Sequence, residues 1–162
     1  MNIIWVIWSL LGSLLHLGDE ITADGGPIWD NFGKIIGVKL PAWLGFMLFT
    51  VTIGAALATL AIIGYGYGNQ MCVSLLVGTK IGDILFSHLF PTVFRANNPN
   101  PGLHTTPLYC FEAIMASICL ELDIGWALIG IWCFALVLPI LWLIGRLVPP
   151  FRIRGNNVDA SY

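Results

Sequence analysis

The sequence predicts an all-α integral membrane protein, a helical bundle of about five transmembrane segments. Composition is the first reason. Hydrophobic residues make up 57% of the 162 positions and charged residues 10%, with a mean hydropathy of +0.85. Soluble domains carry about 25% charged residues, so this chain lacks the polar surface to cover a globule in water. The second reason is five apolar runs, each near the length of about 20 residues that a bilayer requires. The third is the absence of strict alternation in those runs, which argues against membrane strands.

The runs follow one another without an internal repeat or low-complexity linker. They cover residues 2–20, 41–65, 71–93, 107–122 and 125–148. Pro41 and Pro107 open the second and fourth, where a missing backbone donor costs least. Asn97-Asn98-Pro99-Asn100-Pro101-Gly102 is dense turn chemistry and predicts a loop. Pro149-Pro150 ends the last helix. The chain therefore reads as one transmembrane domain, 1–148, with a polar tail, 149–162. Trp5, Trp43, Tyr65, Tyr67, Tyr109, Trp126 and Trp142 lie near run ends and are expected as interfacial anchors. Thr52, Ala55, Ala56 and Thr59 form a small-residue face suited to close helix contact. Cys72, Cys110, Cys119 and Cys133 show no C-x-x-C spacing and read as small packing residues rather than a disulfide or metal set.

Charge sets the expected orientation. If the runs alternate, one side receives Lys34, Lys39, Arg95, Arg146, Arg152 and Arg154, and the opposite side receives no Lys or Arg. Positive charge stays cytoplasmic, so the N-terminus is expected outside and the C-terminus inside, in the cell's inner or plasma membrane. No basic segment precedes the first run, which argues against a cleaved signal peptide. A net charge of −2 offers no basic face for nucleic acid.

Ionisable residues inside apolar runs carry the functional signal, because each costs about 2.5–3.5 kcal/mol on insertion scales and is expected to face the bundle interior. The first run ends His16-Leu17-Gly18-Asp19-Glu20. Spacings of three and four put His16, Asp19 and Glu20 on one helix face, with Ser9, Gly12 and Ser13 on the same stripe. The third run holds Lys80, Asp83, Ser87 and His88. Lys80 and Asp83, three apart, are expected to form an intramembrane ion pair. His88 and, from the fourth run, Glu112 fall at the depth of His16. The candidate catalytic set is therefore His16, Asp19, Glu20, His88 and Glu112. His104 reads as an exposed loop residue, and Glu121 and Asp123 as solvated groups at the opposite surface.

The stretch His16-Leu17-Gly18-Asp19-Glu20, followed by Gly25-Gly26-Pro27 and Trp29, resembles the opening of the HXXEE-domain family of multi-pass membrane proteins, named for H-x-x-E-E. That family's second block has an N-x-x-x-H-like helix, an Arg and a Pro-Gly-containing turn. It is similar to His88-Leu-Phe-Pro-Thr-Val-Phe-Arg95 followed by Pro101-Gly102-Leu-His-Thr105. Asp19 stands where the family has its first Glu, and Ile84 where it has the Asn, with Asp83 beside it. The resemblance spans roughly residues 10 to 122. It implies a multi-pass protein with an active site at these motifs and specifies no reaction.

Two chemistries suit imidazoles set among carboxylates. One is acid–base catalysis on a lipid-soluble substrate. The other is a metal site for zinc, iron or manganese, with His16, Glu20, His88 and Glu112 as the expected donors. Readings from other classes are an accessory subunit of a larger membrane complex, with polar groups that fix packing or bind a metal or pigment, and a proton or small-solute transporter that uses Lys80 and Asp83 at its midplane.

Overall fold

The structure, a computed structural model, describes residues 2–22, 29–30, 41–94, 102–136, 139–140, 143 and 147. Five helices run through them: α1 (Ile3–Thr22), α2 (Ala42–Gly66), α3 (Gln70–Leu89, prolonged by Phe90–Phe94), α4 (Thr106–Cys119) and α5 (Ile124–Ala135). No strand occurs among the described residues. Three helices, α1, α2 and α3, are long and apolar enough to cross a membrane; α4 and α5 are shorter, with 14 and 12 residues. Residues 139–140, 143 and 147 are also helical, and the rest of the expected fifth run lies outside the described residues, as do the tail 149–162 and the six cations that set the expected orientation.

Local chemistry places the helix starts. Pro41 has an extended backbone and precedes α2. Pro107 falls in the first turn of α4, where no backbone donor is needed. The side chains of Asn69 and Asp123 accept from the backbone N–H groups of Cys72 and Trp126, at 3.0 and 3.2 Å, and so cap α3 and α5.

α3 is the centre of the bundle and packs against α2, α4 and α5, while α1 packs against α2 and α4. The closest approach joins α3 to α5. A Cβ at Gly78 would lie 2.0 Å from the Ala127 carbonyl oxygen, and one at Gly130 would lie 2.5 Å from that of Leu75. Gly82, four residues after Gly78, meets Ile131 in the same way. These small residues let the two backbones touch, the usual route to tight packing between apolar helices. The apolar core gathers Val6, Leu57, Ala61, Tyr65, Val73, Leu76, Val77, Ala113 and Ala116.

Several expectations change. Tyr65 and Tyr109 are 4% and 1% exposed, so they are core residues and not interfacial anchors; Trp43 and Tyr67 are exposed, and Trp142 lies outside the described residues. Trp5 stacks on Tyr65 with ring centroids 5.6 Å apart. The face of Thr52, Ala55, Ala56 and Thr59 points out of the bundle, and α2 instead buries Leu57 and Ala61. The four cysteines are free.

Candidate functional site

α1 buries one face made of Val6, Ser9, Gly12, Ser13, His16, Leu17 and Glu20. This is the polar stripe that 3.6-residue periodicity places together, and it carries an imidazole and a carboxylate into the interior. α3 supplies the facing groups through a change of helix type. Residues Ile84–Leu89 form π-helical turns. In an α-helix, Asp83 and His88 would sit about 140° apart. The i→i+5 bonding of a π turn lays residue i+5 nearly over residue i. Asp83 and His88 thereby share one face, with their Oδ2 and Nε2 atoms 3.7 Å apart.

Four side chains from the two helices converge. His16 Nε2 lies 2.9 Å from Asp83 Oδ2, 3.1 Å from His88 Nε2 and 3.7 Å from Glu20 Oε1. Glu20 Oε1 is 3.6 Å from His88 Nε2. All four residues are buried, His16 and His88 at 1% and 0% exposure. A loop residue closes one side. Gly102 is buried with φ +84°, and a Cβ there would fall 2.5 Å from His88 Cε1 and 3.0 Å from Glu20 Cγ. Glycine alone takes this conformation without strain and leaves room for the two side chains.

The hydrogen-bond bookkeeping calls for positive charge at the centre. Thr105 Oγ1 donates its single proton toward Asp19 Oδ2 (3.2 Å) or the Gly102 carbonyl (3.0 Å). In that arrangement it accepts from His16 Nδ1 at 2.9 Å. With its proton on Nδ1, a neutral His16 turns the Nε2 lone pair toward the Asp83 carboxylate and the His88 ring. His88, with its proton on Nε2, donates to that lone pair at 3.1 Å, whereas the Asp83 carboxylate at 2.9 Å attracts it only through a shared cation, proton or metal. Asp83 Oδ1 is also buried and accepts no hydrogen bond among the described residues.

Two expected partnerships are exchanged. Lys80 does not pair with Asp83. Its Nζ lies 2.6 Å from Glu112 Oε2 and donates to Ser9 Oγ at 2.9 Å, and Tyr65 donates to Glu112 Oε1 at 3.0 Å. Glu112 thus belongs to a second buried network and not to the His16–His88 cluster, and Asp83 takes the place expected for it. The Tyr109 ring separates the two networks, with its centroid 4.3 Å from that of His16 and 4.6 Å from Lys80 Nζ. Asp19 is half-buried and reaches the cluster through Thr105. His104 is exposed, as are Glu121 and Asp123. Reading from sequence missed Asp83 as a cluster member and the parts played by Thr105 and Gly102. The Pro-Gly turn was the available signal for the last two.

Two spaces adjoin the cluster. A cavity of about 10 Å³ is lined by His16, Glu20, Asp83, Ser87, Lys80 and Tyr109, among others, which is room for one water. An apolar groove of about 580 Å³ runs between α1 and α2, past Leu14, Leu17, Ile21, Phe46 and Gly54. Leu17 lines both. No protein-family model, curated protein sequence or solved structure gives a significant match to this chain.

Proposed function

We propose that the chain is a multi-pass membrane enzyme, with its N-terminus outside and C-terminus in the cytoplasm, that acts on a lipid-soluble substrate at the His16–Glu20–Asp83–His88 cluster. The carrying observation is the cluster itself: four ionisable side chains buried together in a largely apolar bundle. Such an arrangement is costly, and neutral Ser or Asn would serve packing as well. Membrane placement is supported by the apolar side chains that face outward, among them Leu14, Trp43, Met47, Ile118 and Trp132, far more than an isolated soluble chain carries. The groove supports the substrate class, since its volume lies within the roughly 300–1,000 Å³ of small-molecule sites and its lining is apolar. Of the residues that carry the resemblance to the HXXEE-domain proteins, His16, Glu20 and His88 belong to this cluster and Asp19, Gly102 and Thr105 adjoin it. Glu20 follows the groove-lining residues Leu17 and Gly18 on α1. It exchanges a proton with the substrate, and His16 and His88, 3.7 and 3.6 Å away, hold it in place.

Comparing lipid extracts from cells with the wild-type chain, Glu20→Gln and His88→Ala tests this reading. The expected result is one product lost in both variants while each chain still inserts and stays folded. Unchanged extracts, together with loss of either variant from a larger assembly, would favour the accessory-subunit reading. That second reading has its own observation, the exposed small-residue face of Thr52, Ala55, Ala56 and Thr59.

A further inference from the structure

We infer that the cluster is a divalent transition-metal site with an N2O2 donor set: His16 Nε2, His88 Nε2, Asp83 Oδ2 and Glu20 Oε1. This deepens the enzyme reading, on which it rests for its link to catalysis. Four donors about 2.0–2.1 Å from one tetrahedral ion stand about 3.3–3.4 Å from each other. The five separations among these atoms, from 2.9 to 3.7 Å, fall on both sides of that value. One donor atom from each residue lies within 4.8 Å of all the others.

Charge points the same way. Among the described residues the buried carboxylates are Glu20, Asp83 and Glu112, and the one buried lysine is Lys80. Lys80 is spent on Glu112, so no lysine is left to neutralise the Glu20 and Asp83 carboxylates among the described residues. One divalent ion, like two protons, brings the cluster to neutrality. The surroundings of His16 also match a ligating imidazole. Thr105 takes the Nδ1 proton and is itself tied to Asp19, the outer support that fixes a ligand ring and leaves Nε2 free to bind. Imidazole and carboxylate donors suit zinc, and also iron or manganese. Glu20 Oε1 lies 3.7 and 3.6 Å from the two imidazoles, whereas Asp83 Oδ2 lies 2.9 Å from His16, so Glu20 is the carboxylate that would give way to water or a substrate.

The test uses the full chain purified in detergent, stripped with a chelator and titrated with Co2+, whose visible bands report four-coordination. Elemental analysis of the unstripped protein gives the stoichiometry. One ion per chain and intense visible bands are expected, lost in His88→Ala and Asp83→Asn. Thr105→Val, which keeps all four donors, should weaken Co2+ binding by about 10–100-fold. Circular dichroism of each variant separates loss of donors from loss of fold. Absence of stoichiometric metal and of Co2+ bands would overturn the inference, and so would binding that survives both donor variants, which marks an adventitious ion. Metal bound as described with unchanged lipid extracts refutes the enzyme reading and supports the site. Products lost in Glu20→Gln from a chain that binds no metal support the enzyme and refute the site.

Discussion

Lys80→Met takes the ammonium from between Ser9 and Glu112 and leaves the Glu112 carboxylate, 1% exposed, without its counter-charge. At 2.6 Å and an effective dielectric near 20, the gross attraction is about 6 kcal/mol. Desolvation of both ions offsets most of that, so the expected net loss is the ~3–5 kcal/mol typical of a broken buried pair. Glu112→Gln strands the ammonium instead and should cost a comparable amount. The double variant carries no buried charge there, and the glutamine oxygen still accepts from Tyr65. Its main loss is the partner of Ser9 Oγ, about 1–2 kcal/mol. The two substitutions should therefore be strongly non-additive, with a coupling energy of about 3 kcal/mol or more. The assay is reversible unfolding of the detergent-solubilised chain by sodium dodecyl sulfate. Tryptophan fluorescence follows it, since Trp5 stacks on the Tyr65 of this network. Additivity within about 0.5 kcal/mol would refute the reasoning, because sites that do not interact add to that precision.

Other outcomes follow from single contacts. Gly102→Ala forces a side chain into φ +84° and onto the His88 ring. The backbone strain alone is worth about 1–2 kcal/mol, so the melting temperature should fall and Co2+ binding with it; unchanged binding would show that this loop does not cover the site. Gly78→Ala puts a methyl 2.0 Å from the Ala127 carbonyl and must part α3 from α5, so the variant should lose more than ~2 kcal/mol in the same denaturant assay. Asn100→Cys and Val158→Cys, in a chain whose native cysteines are silent, should both resist an impermeant reagent added outside intact cells. Labelling of either reverses the proposed orientation.

The first helix was legible and the third was not, and the difference is helix type. From Ser9 to Glu20, α1 keeps its α-helical period, so residues three and four apart line one buried face, as counting along the chain indicates. On α3 the same counting sends Asp83 and His88 to different faces. It also makes Lys80 the natural partner of Asp83, three residues away. The π turns after Asp83 undo the first inference by bringing His88 onto the face of Asp83, and Glu112 undoes the second by taking Lys80. The donor set then has two α3 members where sequence periodicity allows one. Depth along the run misled in a second way. It placed Glu112 level with His16, but depth fixes a position along a helix and says nothing of which neighbour the side chain faces, and α4 turns Glu112 toward Ser9, Lys80 and Tyr65. Charge was the signal that could have separated the two sites. Pair the one lysine of the apolar runs with Glu112 rather than with Asp83, and Asp83 is left with Glu20 and two imidazoles. That remainder is the group of four that the geometry assembles.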